Sequence, residues 1–295
     1  MAILTGPPAV SVILASRNAG RTVVQCLDAL RAQKTTVPFE VIISDSSTDG
    51  TDEIIREYYP EFVLLHFNER KFPGDARNAA IARARSDIFA FVDMDCTAAP
   101  DWVEQIWKAH SSGRPSIGGV VENGTPSSVV GCAAYLIEFT QWMPQEAPKD
   151  MEEIPTCNLS IRRDAFEKAG PFLEGTYCSD SAFHWRLAKL GGCARLEPSI
   201  RVAHQNITDA GHFLEHEFFH GRSYARVRAW QHGFPFWKRA LYSLGSLLLP
   251  PMLYWRIAER CARHGRYRPE LVRSTPLLVA ALCCWAAGEA RGYLD

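Results

Sequence analysis

Residues 88–96 read IFAFVDMDC, an apolar run followed by two aspartates that lie one residue apart. The continuous apolar run at 88–92 predicts a strand that is buried on both faces. Asp93 and Asp95 follow it one residue apart, where like charges repel and burial of charge is costly. In an extended chain this spacing puts both side chains on one face. The pair therefore needs a cation or another partner.

Residues 10–109 alternate apolar, β-branched runs with helical patterns. The runs VSVILA, FEVIIS, FVLLHF and DIFAFVD read as strands, and TVVQCLDALRAQ, TDEIIREYY, GDARNAAIARA and DWVEQIWKAH read as helices. This repeat predicts a mainly parallel central sheet, with helices on both faces and right-handed crossovers. Ligands of such sheets bind beyond the carboxyl ends of the strands, so the acidic pair occupies a ligand position.

Three more loops are predicted to reach the same edge: SRNAGRT, DSSTDGT and NERKFPGDARN. Their residue types suit a nucleotide diphosphate, and Ser16 and Asn18 are candidates in the first loop. Asp45 can accept a hydrogen bond from a base or ribose, and Arg77 can neutralise phosphate. A loop that only caps the next helix and an arginine on a solvated helix face are the alternatives.

Composition sets the class of the chain. With 295 residues and 47% hydrophobic residues it can form one large α/β domain or two modest ones. Its nine cysteines form no CxxC pair, which predicts a reducing compartment without a disulfide framework or zinc site. The amino-terminal MAILTGPPAVSVILAS does not read as a signal peptide. We expect no nucleic-acid partner.

Six motifs together resemble one family. VSVILASRN, VIISDSSTDGT, GDARNAA, FAFVDMD, CNLSIRRDAF and SDSAFHWRLAKLGG follow the order and spacing of family 2 glycosyltransferases with the GT-A fold, over about residues 10–204. The resemblance implies a hexosyltransferase of polysaccharide or glycolipid biosynthesis that transfers a sugar, with inversion, from a nucleotide-diphospho-sugar; UDP is the expected nucleotide. DMD matches the DxD motif, so Asp95 should bind Mn²⁺ or Mg²⁺ and Asp93 should lie nearer the ribose or assist the metal.

The resemblance also assigns the remaining chemistry. Asp180 would be the catalytic base, at a helix N-terminus where free amides and the helix field hold a carboxylate. Ser179 replaces the acid that usually precedes this base, and a plain N-cap is the alternative. His204 matches a histidine that completes the metal site in many relatives, and imidazole suits Mn²⁺ better than Mg²⁺. A buried structural histidine is the alternative.

The segment GHFLEHEFFHGRSYARVRAW spaces His212, His216 and His220 by four, a stripe that could imitate a metal-ligand set. We interpret it as an amphipathic helix beside the acceptor site, with Arg186 and Arg222 as acceptor-side candidates. The Q-x-x-R-W signature of processive relatives is missing, so addition of a single sugar is expected.

The last quarter of the chain is apolar and basic. Runs of 16 residues at 240–255 and 13 residues at 276–288 fall short of the roughly 20 that a spanning helix needs. Six arginines lie between them, and residues 221–295 hold twelve basic and four acidic side chains. We predict that this tail lies on or dips into the inner leaflet at the cytoplasmic face. Two short spanning segments, or an ordinary helical subdomain, are alternatives.

The sequence thus predicts a catalytic domain at residues 1–211 and a membrane-associating helical tail at 212–295. The acceptor would be a hydroxyl of a lipid-linked or membrane-presented molecule. A non-catalytic, membrane-docked nucleotide-sugar binding protein is one alternative. A sugar-nucleotide pyrophosphorylase is another, although its G-x-G-T-R stretch is replaced here by ASRNAGRT.

Overall fold

A computed structural model describes residues 7–295. The signal-peptide prediction rests partly on residues 1–6 and lies outside the described residues. The chain forms two compact units. The first, here called the sheet unit, contains the described residues up to Glu122, Pro144–Gly175 and Ser179–His204, and the second, the helical unit, contains Asn123–Met143, Thr176–Cys178 and Gln205–Asp295. The predicted boundary at residue 211 stays a prediction.

The sheet unit is built on one mixed sheet. Its strands are β1 (Val10–Ser16), β2 (Phe39–Asp45), β3 (Val63–His66), β4 (Ile88–Val92), β5 (Cys96–Ala98), β6 (Ser116–Asn123), β7 (Lys149–Met151), β8 (Asn158–Arg162) and β9 (Ala194–His204). Their order is β3-β2-β1-β4-β8-β6-β9-β5, and β7 pairs with β9. Pairing is parallel among β1 to β4 and antiparallel in β4–β8, β6–β8, β5–β9 and β7–β9.

Helices connect these strands and form the second unit. They are α1 (Val23–Arg31), α2 (Thr51–Tyr58), α3 (Pro73–Ile81), α4 (Trp102–His110), α5 (Val129–Phe139), α6 (Arg163–Ala169), α7 (Ser179–Lys189), α8 (Ala210–Gln231), α9 (Phe236–Gly245), α10 (Leu249–His264) and α11 (Arg268–Leu294). Helices α5 and α8 to α11 belong to the helical unit, and the others to the sheet unit. The predicted α/β class is confirmed, and the antiparallel pairings add to the predicted parallel strands.

The core of the sheet follows from its sequence. The apolar side chains of β1 and β4, among them Ile13 and Phe91, are fully buried, as continuous apolar runs in a covered sheet should be. Strand β9 comes so close to β6 that a Cβ on Gly119 would lie 1.9 Å from the Ile200 carbonyl oxygen. Only glycine allows that approach.

Helix α11 is the core of the helical unit. Leu278 and Leu282 are fully buried, so one face of the second apolar run packs inside protein. Glycines bring α11 against α8: a Cβ on Gly288 would lie 2.0 Å from the Phe218 carbonyl oxygen, and one on Gly292 would lie 2.2 Å from the Arg222 carbonyl oxygen. Of the described helices, α11 alone has the length and apolar composition to cross a membrane.

The first apolar run forms a different surface. It is divided between α9, a short 3₁₀ turn and α10, and Pro250 and Pro251 fall in the first turn of α10, where proline is tolerated. Seven large apolar side chains here are each at least 60% exposed. They define the α9–α10 apolar face: Phe236, Trp237, Leu241, Leu244, Leu247, Leu248 and Trp255. Monomeric soluble proteins rarely expose such a patch, so this face is expected to meet a partner or a membrane.

Candidate active site

The acidic pair occupies a turn between β4 and β5. The Cys96 amide donates to the Asp93 carbonyl, 3.0 Å away, so residues 93–95 are not extended. The expectation that both carboxylates share one face of an extended chain therefore does not apply. Asp93 instead accepts a hydrogen bond from the Arg77 guanidinium at 2.7 Å. Arg77 is buried on α3, which excludes the solvated alternative, and its phosphate contact stays a prediction.

Asp95 has a different partner. Strands β5 and β9 pair antiparallel with Cys96 opposite His204, and this register puts the His204 Nε2 atom 3.4 Å from the Asp95 Oδ1 atom. Adjacent ligand atoms about 2.1 Å from an octahedral ion such as Mg²⁺ or Mn²⁺ lie about 3.0 Å apart. The imidazole and the carboxylate are therefore close enough to bind one such ion after a small side-chain adjustment. Burial raises the pKa of the neighbouring Cys96 thiol, so the sulfur stays protonated and is a poor ligand.

Asp180 lies in the first turn of α7, one residue after the helix begins. Its Oδ1 atom accepts from the Ser181 amide at 3.0 Å, and its Oδ2 atom accepts from the Thr156 amide at 3.3 Å and hydroxyl at 3.4 Å. These donors orient a partly exposed carboxylate. The arrangement is more than a helix cap, and it suits a group that accepts a proton from a bound hydroxyl.

Cys157 lies near both the acidic turn of Asp93 and Asp95 and the candidate base Asp180. This buried thiol shares a hydrogen bond with Cys96 that lowers its pKa, yet burial and the charges of Asp93, Asp95 and Asp180 raise that pKa overall. All three carboxylates are thus close enough to act on one sulfur atom. Sequence reasoning missed Cys157, although it opens the quoted motif CNLSIRRDAF.

Glu153 is another residue that sequence reasoning missed. Burial raises its carboxyl pKa, a hydrogen bond with Ser181 lowers it, and the charge of Asp180 raises it further, with a net rise. A second carboxylate therefore lies near the candidate base, although Ser179 replaces the usual acid in the sequence. The only sequence signal was the pair Glu152–Glu153 in the loop before β8.

Ser16 and Asn18 lie where β1 ends. The Ser16 hydroxyl is buried and has no hydrogen-bond partner among residues 7–295, as expected of a group kept for a ligand. Asn18 adopts a left-handed backbone with φ of 51°. The Asn18 backbone amide donates to the Ser47 hydroxyl at 2.8 Å, and the Asn18 side-chain oxygen accepts from the Thr48 backbone amide at 2.9 Å. Asn18 thereby links the first two loops.

Asp45 is fully buried at the end of β2. Its carboxylate accepts from the Ser47 amide at 3.0 Å and hydroxyl at 2.6 Å, and it lies 2.8 Å from the His66 Nδ1 atom. These contacts fix the loop after β2. The predicted hydrogen bond between Asp45 and the base or ribose of the nucleotide-sugar stays a prediction.

The two acceptor-side candidates are both engaged within the protein. The Arg186 guanidinium binds the carbonyls of Ala169, Gly170 and Pro171 at the end of α6, and burial lowers its pKa. In the helical unit, Arg222 forms an ion pair with Asp295 at 2.6 Å. These contacts give both residues structural roles, and their acceptor contacts stay predictions.

A mixed sheet with an acidic turn at the carboxyl edge of its parallel strands defines the class of GT-A nucleotide-sugar transferases. The profile of glycosyl transferase family 2 matches residues 11–169. The chain belongs to this family, which confirms the predicted family and class of enzyme.

Curated relatives carry the same class of name. The chain is 32% identical over 186 residues to "Glycosyltransferase AglE" of Haloferax volcanii, a match that covers 60% of each protein. It is 24% identical over 228 residues to "Pre-mycofactocin glycosyltransferase" of Mycobacterium tuberculosis, covering 73% of this chain and 47% of that protein. The matches thus span about half the length of these relatives.

Solved structures share the fold. A mannosyltransferase from Pyrobaculum calidifontis, in complex with GDP-Man and Mn²⁺, superposes with a TM-score of 0.61 at 18% identity, covering 97% of this chain and 88% of that one. GalNAc-T7 with UDP, GalNAc and Mn²⁺ gives a TM-score of 0.54 at 14% identity, covering 78% and 52%. The predicted GT-A fold is confirmed.

Proposed function

We propose that this protein is an inverting, metal-dependent glycosyltransferase. It moves one sugar from a nucleotide-diphospho-sugar to a hydroxyl of a lipid-linked or membrane-presented acceptor. The observation that carries the proposal is the pair of Asp95 and His204, whose Oδ1 and Nε2 atoms lie 3.4 Å apart, together with the three hydrogen-bond donors that hold Asp180. Family membership favours transfer over the pyrophosphorylase alternative.

The residues divide the reaction between them. Asp180, held by its three donors, accepts the proton of the acceptor hydroxyl as that oxygen attacks the anomeric carbon. Asp95 and His204 would hold Mn²⁺ or Mg²⁺, which would supply charge stabilisation to the departing nucleotide diphosphate. Arg77 and Asp93 stay paired at the donor side. The Ser16 hydroxyl and Asn18 are the expected contacts of the nucleotide.

The identity of the donor nucleotide can be tested directly. UDP is the expected donor nucleotide from the family resemblance, while a similar fold binds GDP-Man in the Pyrobaculum calidifontis enzyme. A thermal-shift panel of UDP-, GDP- and dTDP-sugars with and without Mn²⁺ tests this. We expect one nucleotide to raise the melting temperature only with Mn²⁺, and Asp95→Ala to remove that rise. An equal shift in chelator would contradict the metal role.

The α9–α10 apolar face supports a membrane-presented acceptor. Basic side chains such as Lys238, Arg239 and Arg256 accompany its exposed aromatic and aliphatic residues. Apolar insertion combined with basic residues suits an anionic bilayer surface, and each basic residue contributes about 1 kcal/mol there. We propose that the enzyme lies at the cytoplasmic face of the membrane.

Cosedimentation with liposomes tests the membrane surface. The double variant Leu247→Glu with Leu248→Glu should bind anionic vesicles much less than the parent protein, and binding of the parent should weaken with salt. Leu190→Glu changes an exposed leucine of the sheet unit and is the matched control. Equal pelleting of the double variant and the control would exclude this face as the docking surface.

Donor turnover separates the enzyme from the non-catalytic alternative. The wild-type protein should hydrolyse its donor slowly in the absence of acceptor and transfer the sugar to a membrane extract. Binding of the donor without any turnover would instead favour a nucleotide-sugar binding protein.

A further inference from the structure

Three metal-ligating side chains meet inside the helical unit. The His216 Nδ1 atom on α8 lies 3.6 Å from the Glu138 Oε1 atom on α5 and 3.4 Å from the Glu217 Oε1 atom. From the sequence, the stripe of His212, His216 and His220 is expected only to belong to an amphipathic helix. We propose that Glu138, His216 and Glu217 form a divalent-metal site of the zinc type, distinct in its residues from Asp95 and His204.

The buried carboxylate of Glu217 is the strongest argument for a bound metal ion. Its side chain is completely buried, and its Oε2 atom has no hydrogen-bond partner among the described residues. A buried carboxylate is costly unless a cation or hydrogen bonds satisfy it. An ion bound by both oxygens of this carboxylate would supply the missing partner, and the Oε1 atom already lies 3.4 Å from the His216 Nδ1 atom.

The separations between ligand atoms also favour an ion over a simple ion pair. Charge-assisted N–H···O bonds are usually about 2.7–2.9 Å long, and both distances from His216 are longer. Ligand atoms on a tetrahedral zinc at about 2.0–2.1 Å lie about 3.4 Å apart, close to both observed values. The three ligand atoms lie within 4.8 Å of one another, so one ion can contact all of them.

Charge balance points the same way. Two glutamates, a neutral histidine and a divalent ion sum to zero. Oxygen and imidazole donors suit zinc, and three protein ligands leave a fourth position for water. The ion would join α5 to α8 and stabilise the helical unit.

The test uses the full-length protein. All samples carry Asp95→Ala, so that the expected ion of the active site does not contribute, and all are stripped with chelator. Equilibrium dialysis against Zn²⁺ with elemental analysis gives the stoichiometry, and thermal unfolding gives the stabilisation. The background protein should bind one equivalent and melt at a higher temperature with Zn²⁺.

Two ligand variants and one control complete the experiment. Glu217→Gln and Glu138→Gln in this background should each weaken zinc binding by at least roughly 10- to 100-fold, the loss that is usual even for residues that only support a metal ligand. His212→Ala removes an exposed histidine from the same helix and should bind zinc like the background protein. Circular dichroism checks that each variant is folded, and the half-buried Glu138 is the safer substitution.

The outcomes are distinct from those of the glycosyltransferase assays, because zinc binding is measured without donor or acceptor. If the background protein binds no zinc, the cluster is an ion-pair network and the proposal is wrong. It is equally wrong if Glu217→Gln and Glu138→Gln both keep full binding.

Discussion

Replacing Asp180 by asparagine separates the chemistry of this carboxylate from its structural role. The amide oxygen of Asp180→Asn can keep the 3.0 Å bond from the Ser181 amide, while its NH₂ group then faces the Thr156 donors. Those contacts are long, at 3.3 and 3.4 Å, so the free energy of unfolding should fall by only about 1 kcal/mol.

The effect on rate should be much larger. A positioned base contributes roughly 10²- to 10⁴-fold, which corresponds to about 3–5 kcal/mol of activation free energy. Initial rates of transfer at saturating donor measure kcat, and donor titration by calorimetry with Mn²⁺ measures binding. We expect kcat to fall by at least about 100-fold with donor affinity unchanged.

Glu153→Gln is the companion variant, because Glu153 is the other carboxylate near the site. It should lower kcat less than Asp180→Asn does, since Asp180, not Glu153, is the proposed base. If Asp180→Asn kept near-normal turnover while Glu153→Gln lost it, Glu153 would be the base and the reasoning about Asp180 would be refuted.

Three further predictions concern stability. Gly288→Ala should cost about 2–3 kcal/mol, because its Cβ would lie 2.0 Å from a carbonyl oxygen of α8, whereas Gly245→Ala meets no atom within 4 Å and should be neutral or stabilising in urea titrations. Burial lowers the pKa of His110 to about 4 from 6.5, so unfolding free energy should fall by about 3 kcal/mol as pH drops across that interval, and His110→Gln should flatten the dependence. Arg77→Ala should cost about 2 kcal/mol by removing the partner of Asp93, measured by thermal unfolding.

The parallel strands could be predicted because their signal is local. The apolar runs of β1, β2 and β4 become largely buried strands, whereas no residue of the edge strand β3 is buried. Ser16 and Asp45 are the last residues of β1 and β2, and Asn18 follows in the first loop. Asp180 at the start of α7 follows from a helix-start pattern of the same kind. These elements depend on short-range periodicity, which a single sequence contains.

The antiparallel strands depend on pairing between distant residues. Cys96 pairs with His204 across more than a hundred residues, and no local pattern sets that register. For the same reason the sequence did not reveal that residues 123–143 join the helical unit, or that Glu138 would lie beside His216. The second apolar run forms a helix, as the sequence predicts, and glycine packing against α8 helps to bury one face of it.

The acidic pair shows how its like charges are accommodated. Because residues 93–95 turn, the two carboxylates reach different partners: Asp93 meets a buried arginine, and Asp95 meets an imidazole across β5 and β9. The guanidinium of Arg77 offsets one charge permanently, since arginine is always protonated. Asp95 instead lies 3.4 Å from His204, the arrangement that we propose holds the metal. Because Arg77 already engages Asp93, Asp95→Ala should remove metal-dependent donor binding while the Arg77–Asp93 pair stays intact.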